Sequence, residues 1–330
     1  MPALLFEIRD HIAYLTINRP EVHNAMNPEV VVRLAEAWQR VADDDDVRAA
    51  IITGAGNKAF SAGADLARMI PLMTGARQPE DEWDHKIKEN PKLGAMALLR
   101  GWSLYKPAIA AVNGFCIAGG LELMQATDLR VAAESASFAL QEVKWAIIPA
   151  GGSLVRLVRQ MPYCKAMEIL LTGNRIAAAE AWRLGLINYV LPQADVMAKA
   201  EELARAIAEN GPLAVRAIKE TVEKCSGQPF EAAFKIENEA QRFIRKTEDA
   251  REARAPSSKS ANRTTRGGEC ASPVSRRRRR ARLRIRTRLA APRPIVAPCP
   301  MIDETAARRP RRGRARGKSR SRWRTPSQRS

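Results

Sequence analysis

Histidine is scarce in this chain. Among 330 residues there are three, His11, His23 and His85, too scattered to build a histidine-based metal site. The five cysteines, Cys116, Cys164, Cys225, Cys270 and Cys299, are odd in number and widely spaced, with no CxxC pair. That pattern excludes a disulfide framework and a zinc ribbon and fits a reducing compartment. No basic stretch followed by an apolar one opens the chain, and no apolar run approaches membrane-spanning length, so the expectation is a soluble cytoplasmic protein without membrane partners. Acidic residues are almost missing from the last quarter. Ala253 to Ser330 holds 25 Lys and Arg against 3 Asp and Glu, whereas Met1 to Glu252 holds 30 against 33. The formal charge of +19 therefore belongs to the tail, and the body is mildly acidic.

The body carries alternating strand and helix signals. Leu4 to Arg9 and Ile12 to Asn18 are short apolar segments separated by Asp10-His11, which predicts a hairpin or an adjacent strand pair. Asn27-Pro28-Glu29 supplies a cap, a first-turn proline and a first-turn carboxylate, with Val30, Val31, Leu34, Trp38 and Val41 following at helical spacing. Arg48 to Thr53 predicts a strand. Ala67 to Trp102 predicts short helices broken by Pro71, Pro79 and Pro91. Ala108 to Asn113 has the uninterrupted apolar character of a buried strand, and Asp128 to Ala132 and Ser137 to Leu140 predict two more. From Gly151 to Phe243 the pattern is helical, with interruptions at Gly173, Gly185 to Pro192, Gly211-Pro212 and Gly227 to Pro229. An α/β layer followed by a helical extension is the expected architecture.

Two segments stand out chemically. AFSAGADL (Ala59 to Leu66) places small residues after a strand, where backbone can approach a ligand closely. VNGFCIAGGLEL (Val112 to Leu123) leads from a buried strand into paired glycines that open a helix, where amide donors lack intrahelical partners and the helix dipole favours negative charge. Together they suggest two backbone N–H groups from separate loops aimed at one point. Each feature has a plainer reading when taken alone. Glu122 could be an ordinary first-turn glutamate, Glu142 a surface loop residue, and Cys116 a buried small hydrophobe rather than a nucleophile. Gly54-Ala55-Gly56 followed by Ala59 is a poor dinucleotide fingerprint, because no helix opens there. Trp38, Trp145 and Trp182 are expected in core or subunit contacts.

NRPEVHNAMN (Asn18 to Asn27), AFSAGADL, KPAIAAVNGFCIAGGLEL (Lys106 to Leu123) and QEVKWAIIPAGG (Gln141 to Gly152) resemble, in order and spacing, the successive signatures of the crotonase family over roughly the first three quarters of the chain. The resemblance implies a crotonase-type ββα spiral core over residues 1–195, a helical trimerisation region over 196–252, and trimers that often pair into hexamers. It implies that Ala62 and Gly119 form an oxyanion hole for a thioester carbonyl, and that Glu122 and Glu142 are the two catalytic carboxyls. Ala150 stands where the family usually has glycine, which is tolerable only if φ there is negative. Coenzyme A recognition would fall to Glu21, Val22 and His23 and to Ala62, Ala64, Asp65 and Leu66. The stretch between Asp65 and Lys106, which lines the family's acyl pocket, is longer here than in compact short-chain members.

The implied reaction is hydration of a trans-2-enoyl-CoA, as in fatty-acid β-oxidation, with coenzyme A as part of the substrate and no metal or redox cofactor. Negative charge develops on the thioester oxygen as water adds, which preorganised amides stabilise. Two carboxyls in different protonation states would then take a proton from water and return one to C2, with Glu122 as base and Glu142 as acid. The rivals are an enoyl-CoA isomerase and an RNA-binding homologue. No specific nucleic-acid partner is expected, since the tail has no recognisable fold and little aromatic interleaving.

The 253–330 tail, with its run Arg276 to Arg280, is expected to be disordered. Family members commonly finish in an AFxEKRxP-like segment that is missing here. Back-translation of Glu252 to Arg263 with suitable codons gives GPRAFVEKREP in another frame, so the tail is read as out-of-frame translation, which sequencing the gene would test.

Overall fold

A computed structural model describes residues 1–247, so the expectations for the basic tail and for the last residues of the helical region lie outside the described residues. Ten strands occur there: β1 (Leu4–Arg9), β2 (Ile12–Ile17), β3 (Ala49–Gly54), β4 (Ala59–Ser61), β5 (Ala108–Val112), β6 (Phe115–Ile117), β7 (Leu129–Ala133), β8 (Ser137–Ala139), β9 (Ile176–Ala177) and β10 (Tyr189–Leu191). They form a six-stranded sheet in the order β1-β2-β3-β5-β7-β10 and a four-stranded sheet in the order β4-β6-β8-β9. Only β1–β2 and β8–β9 pair antiparallel. Three times in succession the chain lays one strand in the larger sheet and the next in the smaller, as β3 then β4, β5 then β6, β7 then β8. That repeated step is the spiral.

Local sequence explains much of this. Asp10 and His11 take φ values of +48° and +67°, the conformation a two-residue hairpin turn needs, and Arg9 pairs with Ile12. Asn27 accepts a hydrogen bond from the Val30 amide at 3.0 Å, which starts the Pro28–Asp43 helix, and Val30, Leu34, Trp38 and Val41 are fully enclosed. Every residue of β5 is buried, as its unbroken apolar run required, because the sheet is covered. Gly114 sits at the corner between β5 and β6, where a Cβ would collide with the Lys58 backbone.

Three expectations need correction. The stretch Gly185 to Pro192, read as an interruption between helices, contains β10, which pairs parallel with β7 from Tyr189↔Val131 to Leu191↔Ala133. Short strands also lie inside the two chemically suspect segments, as β4 and β6. The Val196–Ala208 helix belongs to the core layer rather than to a separate extension, since Val196, Ala200 and Ala204 pack into the main hydrophobic cluster.

The hairpin of Pro212–Cys225 and Phe230–Ile244 is different. It buries little beyond Ala217, Glu220 and Ala240, and it leaves Ile218, Val222, Phe230 and Phe234 exposed. Lys219 fastens it to the body through Asp128 at 2.7 Å and the Lys106 carbonyl at 3.1 Å. Trp38 is in the core as expected, whereas Trp145 and Trp182 are exposed. Among the described residues, no helix is long and apolar enough to cross a membrane.

Candidate active site

The AFSAGADL and CIAGGLEL segments meet because β4 and β6 pair in parallel, with Ala59 opposite Phe115 and Ser61 opposite Cys116. Two buried asparagines hold them there. Asn24 donates to the carbonyls of Ala55 and Ala59 at 3.0 and 2.7 Å, and Asn113 donates to those of Gly54 and Gly56, both at 2.7 Å. Neither asparagine was singled out from sequence, although each lies inside a quoted motif. Cys116 is enclosed and burial pushes its thiol well up, so it fills the role of a small hydrophobe.

Gly119 opens the Gly119–Gln125 helix, and Ala118 before it takes φ +52° and ψ −126°, a sparsely populated region for a residue with a Cβ. This turn leaves the Gly119 amide without an acceptor among the described residues. The second donor is not the one expected. The Ala62 amide donates to the His23 carbonyl at 3.0 Å and is therefore occupied. Met26 runs alongside Ala64, donating to Gly63 O at 2.7 Å and accepting from Asp65 N at 3.0 Å, so both neighbours of Ala64 are engaged while its own amide has no acceptor among the described residues. A Cβ placed on Gly119 would lie 3.6 Å from that Ala64 nitrogen and 2.9 Å from Met26 Cε. Gly63 must be glycine on two counts, a φ of +90° and a Cβ that would come within 2.8 Å of the Gly119 amide. The free pair is Ala64 and Gly119. Sequence spacing could not distinguish the alternating amides of Ala62, Gly63 and Ala64.

Glu122 follows one turn into the same helix and is 4% exposed. Burial raises its carboxyl above the usual range, opposed by hydrogen bonds from the backbone at Ser153 and Gly151, from the Ser153 hydroxyl, and by the charge of Arg156. The Ser153 amide stands 3.2 Å from Oε1. Gly151 has no room for a side chain, since a Cβ would strike the Glu122 carboxylate on one side and Leu98 on the other. Glu142 begins the short 3-10 turn Glu142–Trp145 and is also buried. Its Oε2 has no hydrogen-bond partner among the described residues. Burial, with a smaller contribution from the Glu122 charge and against one backbone hydrogen bond, lifts it to about 7. The two carboxyls thus sense each other across one region. Ala150 is not among the residues with positive φ, so alanine fits there without strain.

The residues suggested for coenzyme contacts lie around this centre. Glu21, Val22 and His23 form and close a 3-10 turn at the surface, and the His23 ring tilts against Phe115 with centroids 6.2 Å apart. Leu66 is exposed. The Asp65 carboxylate is committed internally, paired with Arg19 at 2.7 Å and accepting from the amides of Ala67 and Arg68. These ionic and amide hydrogen bonds outweigh its burial and keep its pKa below the ordinary carboxylate value.

A family model described as enoyl-CoA hydratase/isomerase matches residues 7–258. The enoyl-CoA hydratase EchA19 of Mycobacterium tuberculosis is 44% identical over 251 residues, covering 76% of this chain and 91% of that protein. The (E)-benzylidenesuccinyl-CoA hydratase of Thauera aromatica is 36% identical, covering 76% and 94%. The crystal structure of an enoyl-CoA hydratase from Bacillus anthracis superposes with a TM-score of 0.69 at 33% identity, covering 76% of this chain and 94% of the other.

Proposed function

This chain belongs to the enoyl-CoA hydratase/isomerase family, and from that premise we propose that it reversibly hydrates a trans-2-enoyl-CoA to a 3-hydroxyacyl-CoA. The thioester oxygen accepts from the amides of Ala64 and Gly119. Water attacks C3, Glu122 takes its proton, and the electron pair of the C2=C3 bond moves onto the thioester oxygen as an enolate. Collapse of the enolate then takes a proton from Glu142 at C2. Each donor of such a pair is worth about 3 kcal/mol in the transition state.

The observation that carries this reading is the asymmetry of the two carboxyls. Glu142 holds an unpartnered buried oxygen beside the charge of Glu122 and titrates near neutrality, so its protonated form is accessible as a donor. Glu122 is surrounded by donors that favour its ionised form. Two carboxyls suit addition of water, whereas double-bond isomerisation needs only one to shuttle a proton.

Related proteins act on different acyl groups, as the benzylidenesuccinyl and enoyl names of the relatives state. The test is therefore hydration of crotonyl, medium-chain and aromatic enoyl thioesters, with the 3-hydroxyacyl product identified. Isomerisation of 3-enoyl thioesters with no hydration of any 2-enoyl thioester would reject the assignment. We also propose a homotrimer or hexamer in a reducing cytoplasm, supported by the uncovered Ile218, Val222, Phe230 and Phe234 and by the free thiols of Cys116, Cys164 and Cys225.

A further inference from the structure

Arg156 is a half-buried cation that the reaction above does not use. It lies on the Ser153–Gln160 helix, which begins directly after the Gly151-Gly152 pair beside Glu122. Its guanidinium does not form an ion pair with any described carboxylate; instead one nitrogen donates to the Leu98 carbonyl at 3.1 Å and the other to the Leu99 carbonyl. Leu99 is held at φ +49°, a left-handed conformation that a leucine adopts only under constraint. The Leu98 side chain and the Glu122 carboxylate both border the space where a Cβ on Gly151 would stand, so the two groups crowd the same face of that glycine. Contacts therefore run from Arg156 through the Leu98–Leu99 turn to the space above Gly151 that Leu98 shares with Glu122.

We propose that Arg156 is a positioning residue for hydration: its fork clamps the Leu98–Leu99 turn against Gly151, fixing the Glu122 carboxylate. The guanidinium charge also opposes the effect of burial on that carboxylate. This rests on the hydratase reading. The charged groups around Arg156 come from every element packed on it. Glu122 lies on the Gly119–Gln125 helix, Glu223 on the Pro212–Cys225 helix, Arg100 beyond the Leu98–Leu99 turn, and Arg130 on β7. Of these, Glu122 is the group whose state changes in the reaction. A guanidinium satisfies two carbonyls at once while remaining charged, which a lysine ammonium cannot do with the same geometry.

The test compares the full chain with Arg156→Met and Arg156→Lys, measuring kcat and KM for crotonyl-CoA as a function of pH, alongside thermal melting. Methionine is expected to lower kcat by about tenfold to a hundredfold, with KM changed far less, because a small displacement of the base is enough for such a loss. It is also expected to move the acidic limb of the kcat profile to higher pH. Lysine is expected to return that limb to the wild-type position while recovering only part of kcat. Should the methionine variant fail to fold, the lysine variant decides: a wild-type limb with reduced kcat supports the proposal, and a wild-type kcat overturns it. A folded methionine variant with unchanged kcat and unchanged limb, or one altered only in melting temperature, shows a purely structural arginine and overturns it. If wild-type protein hydrates no enoyl thioester, the hydratase reading falls and this inference with it.

Discussion

The Glu122 and Glu142 carboxyls are both buried but unequally furnished. Burial raises both carboxyls, since charge is disfavoured away from water. Around Glu122 the chain supplies the amides of Gly151 and Ser153, the Ser153 hydroxyl and the Arg156 charge. Around Glu142 it leaves Oε2 without a partner among the described residues and adds a neighbouring carboxylate. Burial alone would make two similar acids. It is the distribution of donors that makes one carboxyl fit to be ionised and the other fit to hold a proton.

Replacing the better-furnished group should do the most damage. Glu122→Gln is expected to reduce kcat for hydration by about 10²–10⁴-fold, the range for losing a general base, and a residual rate near wild type would break the comparison. Glu142→Gln is expected to cost about 10²-fold and to remove the alkaline limb of the kcat profile. In wild-type protein that limb should fall with a midpoint near 7, because the protonated form of Glu142 is lost there. If the alkaline limb persists in Glu142→Gln, another group is the acid.

A gentler change sharpens the contrast. Ser153→Ala removes one donor from Glu122 without creating a charge, so the acidic limb should shift upward in pH and kcat should fall by about threefold to tenfold near neutrality, as expected for one lost hydrogen bond of about 1 kcal/mol. The remaining effect is on stability rather than rate. Because the folded pKa of Glu142 lies above its ordinary value, its contribution is fully present below the usual carboxylate range and lost as pH rises through about 7. Glu142→Gln should therefore be more stable than wild type above neutral pH by about 1–2 kcal/mol, allowing for solvent screening, and no more stable in acid. Denaturant titrations on both sides of neutrality would check the sign.

The elements legible in sequence were those whose information is local. Asn27-Pro28 marked a helix start, the apolar run Ala108 to Val112 marked a covered strand, and Asp10-His11 marked a turn, each through the chemistry of adjacent residues. Tyr189–Leu191 escaped because three residues between Gly185 and Pro192 have no periodicity of their own. They are a strand only because β7 presents an edge to them. The same holds for β4 and β6, each three residues long. Of the tryptophans expected in core or subunit contacts, Trp38 is in the core, and Trp145 and Trp182 face outward in the protomer.

By itself, the sequence determined which groups were available. It supplied two glutamates in motifs that resemble a known family, small residues where backbone must approach closely, and an unbroken apolar strand to carry them. Tertiary structure alone decided that the amide left free beside that of Gly119 is Ala64's rather than Ala62's, and that Glu122 gathers more donors than Glu142. The reason is that amide direction and local dielectric depend on what packs across from a residue, here Met26, His23, Ser153 and Arg156, and none of these is near its partner in the chain.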